Sequence, residues 1–366
     1  MDVCSPGVFL NLAALPLPWS NHNQILSWSG ERTVAREVVD RFPFLETRAP
    51  MYVITNRNLQ PNARPEERFG PGFNSEGPNE LRLAEVTKED DRWRVEILED
   101  RTVYEGVEMW ASEAAFLRAQ ANMRRLQRNA LFFVHGFNTD FENALESAHR
   151  IEQIYNLEVV MFSWPSNGGG TVEGLSSYRD DKRDATLSIS ALDRCFEKLA
   201  VYFLKYGARC DRKFSLALHS MGNYLFKRLL TSSVYQGETL LFDNIVMLSA
   251  DVNNEGHGDW VDRVQFRHRL FITINEDDGA LFASRAKSGD QQKARLGHWL
   301  HNLTARNATY LDFTDAAYIQ AHHNYFSDAS ALRNESIRVL FERAFNGERA
   351  EQGLAFDLAS GAYRVP

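Results

Sequence analysis

The chain has 366 residues, 44% of them hydrophobic and 25% charged, and its 49 acidic against 41 basic side chains leave a formal net charge of −8. That composition can bury a sizeable core, which excludes a wholly disordered chain, and the acidic excess argues against a broad nucleic-acid or anionic-lipid footprint. Three cysteines (Cys4, Cys195 and Cys210) without a C-x-x-C exclude a disulfide framework and a zinc finger, and predict a reducing, cytoplasmic setting.

Residues 1–50 carry prolines and aromatics without a firm period and read as an N-terminal extension. The apolar run from Val8 to Trp19 is interrupted by Asn11, Pro16 and Pro18, and no lysine or arginine precedes Arg32, unlike a secretory signal. No stretch approaches the ~20 apolar residues of a membrane span, so no stable membrane insertion is expected. Met51–Thr55 reads as a short buried strand, and the prolines and glycines of residues 60–80 as a long loop. Leu81–Val86 and Trp93–Leu98 look like strands, followed by a helix over Ser112–Arg128. From there strands and helices alternate. Strands are expected at Leu131–His135, Glu158–Ser163, Phe214–Leu218, Asn244–Ser249, Leu270–Asn275 and Thr309–Asp312. Helices are expected over Asp140–Tyr155, over a long stretch after Tyr178, and over Asn223–Val234, Ala280–Ala286 and Ala331–Phe345. In the long helix Ala185, Ile189, Leu192, Phe196, Leu199 and Phe203 form one apolar stripe. Such alternation predicts an α/β fold with a mostly parallel sheet covered on both faces. The expected domain spans residues 51–346, with 56–128 as a cap-like elaboration and 347–366 as a C-terminal tail.

The sharpest chemical signal is Leu218–Gly222 (LHSMG), where a strand runs straight into a helix. A serine on such a turn is lifted clear of the sheet, and the next N–H, that of Met221, is aimed at a developing oxyanion. Ser220 is therefore the candidate nucleophile; the alternative is a helix cap. His135–Asn138 (HGFN) follows an earlier strand and places Phe137 to give a second oxyanion N–H. In this architecture the acid and then the histidine follow the serine. His322 and His323 lie after the last expected strand, and His323 is favoured. Asp277 and Asp278 end the strand that usually carries the acid; Asp278 also precedes a helix start, which an N-cap would explain, and Asp251 is the alternate. His135, Trp164, Tyr178 and Trp260 are candidates to line the substrate pocket. No metal motif is present, Asn167–Gly170 lacks the lysine of a phosphate loop, and no cofactor is expected.

Six segments in order carry a family resemblance: His135–Thr139 (HGFNT), Phe162–Ser166 (FSWPS), Tyr178-x-x-Asp181, His219–Asn223 (HSMGN), Asp278–Leu281 (DGAL) and His323–Phe326 (HNYF). Together they resemble the bacterial α/β-hydrolases of the domain-of-unknown-function group nine hundred, from about residue 50 to 345, with Tyr52–Arg57 (YVITNR) similar to that group's first strand. The resemblance implies an α/β-hydrolase fold with Ser220 as nucleophile, Asp278 as acid and His323 as base. It also implies main-chain oxyanion donors at Phe137 and Met221. Leu218 departs from the superfamily pattern, which has a small residue two before the serine. The expected reaction is hydrolysis of a small-molecule carboxylic ester through an acyl-enzyme. A thioesterase or amidase with the same triad, or a catalytically inactive binding module, is the alternative. The short stretch from Ala250 to Leu270 leaves no room for a large lid, so the N-terminal elaboration is expected to shape the pocket.

Overall fold

The computed structural model describes residues 49–166, 174–207, 211–287, 293–329 and 331–366. The N-terminal extension up to residue 48, the Asn167–Gly170 loop, Cys4 and Cys210 lie outside them. The first strands are β1 (Met51–Thr55), β2 (Arg57–Leu59), β3 (Phe69–Phe73), β4 (Arg82–Glu89), β5 (Arg92–Ile97), β6 (Arg101–Tyr104) and β7 (Val107–Trp110). Helix α1 (Ala111–Leu126) leads into β8 (Ala130–Val134), α2 (Phe141–Tyr155), β9 (Glu158–Ser163), α3 (Gly174–Leu187) and α4 (Ile189–Tyr206). Then come β10 (Phe214–His219), α5 (Gly222–Leu230), β11 (Asn244–Leu248), α6 (Gly258–Val261), β12 (Arg269–Ile274) and α7 (Gly279–Lys287). The chain closes with β13 (Ala308–Asp312), α8 (Glu335–Phe345), β14 (Ala355–Asp357) and β15 (Ala362–Arg364).

Unbroken apolar runs become the middle of an 11-stranded sheet, ordered β14-β15-β13-β12-β11-β10-β8-β9-β1-β4-β5. The run from β15 to β1 pairs in parallel, while β4, β5 and β14 pair antiparallel at the edges. Because successive strand residues face opposite ways, Phe132 and Val134 enter one core and Leu131 and Phe133 the other. The first core is roofed by apolar side chains of α4 and α5, the second by those of α2 and α8. Both faces of β8 and β11 are buried along their whole length, as a parallel sheet clad in helices requires.

The chain order reverses at β8. From β8 the chain passes to β9 on one side, then returns to place β10 on the other. Loops leaving the carboxyl ends of β8 and β10 therefore diverge, and the crevice between them is where such sheets bind ligands. The fold agrees with the expected α/β-hydrolase architecture, with some corrections of detail. The long loop at residues 60–80 contains β3, which pairs with β2, and residues 101–110 form the β6–β7 hairpin. The long helix is two, α3 and α4, joined at Ser188. Residues 347–366, read as a tail, supply β14 and β15 and extend the sheet beyond β13.

Candidate active site

Ser220 occupies the turn between β10 and α5 with φ at 51°, a left-handed conformation that costs a non-glycine residue ~1–3 kcal/mol and that surroundings must enforce. They do so through backbone bonds: the Ser220 N–H donates to the Leu248 carbonyl at 3.0 Å, and the Ser220 carbonyl accepts from the Asp251 N–H at 3.2 Å. The buried Asn223 amide adds bonds to the carbonyls of Leu218 (2.8 Å), Ser220 (3.2 Å) and Leu248 (3.2 Å). Two glycines permit the close packing. A Cβ on Gly136 would sit 2.6 Å from Ser220 Cβ, and one on Gly222 would sit 2.8 Å from the His135 carbonyl. Leu218 points away from this contact into the core shared with α5, so the small residues the turn needs stand at positions 136 and 222.

The His135–Thr139 loop leaves β8 beside this turn. Phe137 is half-buried, its ring set edge-on to Tyr178 at 5.5 Å. Among the described residues neither the Phe137 nor the Met221 N–H has a protein acceptor. The loop is held at its far side. The Asn138 N–H donates to Asp181 Oδ2 at 3.1 Å, Ser166 Oγ donates to the same oxygen at 2.7 Å, and the Thr139 N–H donates to Ser166 Oγ at 3.1 Å. His135 Nδ1 lies 3.0 Å from the Gly136 carbonyl, which can only accept, so Nδ1 carries the proton. Nε2 is then free to accept from Ser163 Oγ at 3.2 Å. Burial, reinforced by the nearby Arg57 charge, depresses the His135 pKa to about 3, keeping the ring neutral.

His323 lies in the loop after β13, where several elements fix its backbone. Its carbonyl accepts from Ser249 Oγ at 3.0 Å, and Asn275 Nδ2 donates to the carbonyls of Gln320 (2.9 Å) and His322 (3.3 Å). Its ring packs 4.7 Å from that of His219, the residue before Ser220. His219 is itself held neutral, because burial and the nearby His323 push its pKa well down. The His323 Nδ1 sits 2.7 Å from Asp278 Oδ2. Asp278 is fully buried, and its other oxygen accepts the N–H groups of Ala280 and Leu281, both at 3.0 Å. The two sequence readings of Asp278, helix cap and histidine partner, are thus both realised, one oxygen each.

The alternates lie elsewhere. Asp251 is buried against Arg295, with Nε 3.1 Å from Oδ1, and accepts from Ser284 Oγ (2.6 Å) and Tyr178 Oη (3.1 Å). Asp277 is exposed. His322 pairs with Asp328 at 2.7 Å on the half-exposed side of the loop. Of the expected pocket-lining residues, His135, Trp164, Tyr178 and Trp260 are all buried. His135 and Trp164 stack at 5.4 Å, and Trp164 Nε1 donates to the His135 carbonyl at 3.0 Å. Tyr178 belongs to the Asp251 network, and Trp260 packs within the core. These side chains brace the walls behind the crevice. A cavity of about 500 Å³ lies apart from it, between α1, α4 and the β1 end of the sheet, and none of Ser220, Asp278 or His323 lines it.

Sequence reasoning passed over Arg57, Ser163, Ser249 and Asn275 as site residues, because each supports the site through buried hydrogen bonds that no local motif announces. Among the described residues no three His, Cys, Asp or Glu side chains group as metal ligands, and no helix is long and apolar enough to cross a membrane.

A family model described as an alpha/beta hydrolase of unknown function (DUF900) matches residues 112–343, well over half of the chain and including every candidate site residue from His135 to His323. No curated protein and no solved structure matches the chain.

Proposed function

The chain belongs to that alpha/beta hydrolase family, and from this premise we propose that it is a serine hydrolase that cleaves a carboxylic ester through an acyl-enzyme. The observation that carries the reading is the 2.7 Å contact between His323 Nδ1 and the buried Asp278 carboxylate, beside a serine held at positive φ on a strand-to-helix turn. A carboxylate on Nδ1 fixes the tautomer that leaves Nε2 as a base. In this reading Nε2 takes the Ser220 proton as Oγ attacks the ester carbonyl. The Met221 and Phe137 N–H groups receive the negative charge on the carbonyl oxygen. His323 then protonates the departing alcohol and afterwards activates a water that releases the acid. Asp278 holds the imidazole in orientation, and the α7 N-terminus holds Asp278.

Turnover of p-nitrophenyl esters by the wild type, lost in a folded Ser220→Ala variant, is the expected outcome. Ser220→Ala turnover equal to wild type would sink the reading. Matching thioester and anilide substrates use the same machinery, so relative kcat/KM across the three ranks the acyl bond cleaved.

A further inference from the structure

Two arginines, Arg57 and Arg295, are among the largest fully buried side chains. Arg295 meets the Asp251 carboxylate, whereas among the described residues no carboxylate lies within 4.0 Å of Arg57. Each of its N–H groups instead finds an uncharged acceptor. Nε donates to Ser163 Oγ (2.9 Å), one terminal nitrogen to the Gly70 and Ser166 carbonyls (both 3.3 Å), and the other to the Thr139 carbonyl (2.7 Å), with His135 Nε2 at 3.5 Å. These partners come from β3, from the loop after β8 and from the end of β9. One planar fork therefore ties three segments together at the carboxyl edge of the sheet. Desolvation lowers its pKa to about 10, with Asp140 and Asp181 favouring the charge at longer range, so the guanidinium stays cationic at neutral pH. The neutral His135 beside it leaves the charge on Arg57 alone.

We propose that Arg57 is the positioning residue of the oxyanion-binding loop: it pins His135–Thr139 so that the Phe137 N–H stays aimed at the Ser220 turn, and its uncompensated charge favours the negative charge that develops there. The inference rests on the serine-hydrolase reading. Donors fixed before reaction need no reorganisation during it, and a charge buried without a counter-ion acts through a poorly screening medium. Arg57 also lies outside the matched residues 112–343, so the N-terminal part of the domain completes the site.

The test compares wild type, Arg57→Gln and Arg57→Lys by melting temperature, ester kinetics and affinity for a trifluoromethyl ketone, which forms a tetrahedral adduct with the serine. The expectation for a folded Arg57→Gln is a fall in kcat of ~10² with little change in KM, the scale of one lost oxyanion donor. Ketone affinity should fall in step, and Arg57→Lys, which keeps the charge, should recover part of both. Wild-type kcat in Arg57→Gln overturns the inference, as does an equal loss in both variants with ketone affinity intact. Should the variants not fold, the wild type still decides: the Arg57 Nε–H resonance should shift on ketone binding, and an unmoved resonance overturns the inference. Failure of the underlying reading shows separately, as a wild type without Ser220-dependent turnover.

Discussion

Three aspartates compete for the histidine by sequence, and their surroundings separate their roles. Asp278 divides its oxygens between His323 and the first turn of α7. Asn at this position keeps one oxygen for the cap but no longer fixes the imidazole, so Asp278→Asn should remain folded while kcat falls by ~10⁴. Asp251→Asn should spare the chemistry and unfold more readily, since it strips the counter-ion from the buried Arg295; breaking such a pair costs ~3–5 kcal/mol. Asp277→Asn, on an exposed side chain, should change neither. Measuring kcat and chemical denaturation on all three checks the division, and a crippled kcat with normal stability in Asp251→Asn would reassign the acid. The serine was legible because a tight strand-to-helix turn leaves a compact local signature, and the loop at Phe137 because it follows the neighbouring strand. Arg57 was not legible: an arginine after a short strand reads as solvent-exposed, and only the meeting of β3, β8 and β9 buries it.

At the scale of elements, α4 carries an uncompensated carboxylate. Asp193 is buried on its inner side, Oδ1 has no partner, and burial followed by the charges of Glu238 and Glu197 raises its pKa to about 6. The native state thus binds a proton between the unfolded pKa of ~3.9 and about 6 that the unfolded state has released. Stability contributed by protonated Asp193 is present at the acid end and lost as pH rises through that window. Asp193→Asn should therefore raise the melting temperature at pH 7.5, with a gain that shrinks toward pH 4; a gain independent of pH would contradict this account. The apolar stripe of α3 and α4 was legible, but not their break, because the Leu192 N–H still donates to the Ser188 carbonyl and the helical phase carries across. The β2–β3 and β6–β7 pairs and the closing strands escaped notice for a different reason. They are three to five residues long, too short for a period of two to register against glycine, proline and charge.

Across the whole molecule, the candidate groups come from positions far apart in the chain and meet because a parallel sheet sends every crossover loop to one edge. Ser220 ends β10, Phe137 follows β8, Asp278 follows β12 and His323 follows β13, while Arg57, just after β1, braces the loop at β8 from outside the family-matched segment. The alternation of strands and helices made this arrangement legible in outline. What the linear pattern could not give was the order of strands, and with it the reversal at β8 that opens the crevice. The central claim is that Ser220 is the nucleophile this edge activates. Labelling the wild type with a fluorophosphonate and mapping the modified peptide by mass spectrometry tests it most directly. The account predicts a single adduct on Ser220 that disappears in a folded His323→Ala variant; an adduct on another residue, or undiminished labelling of Ser220→Ala, would contradict it.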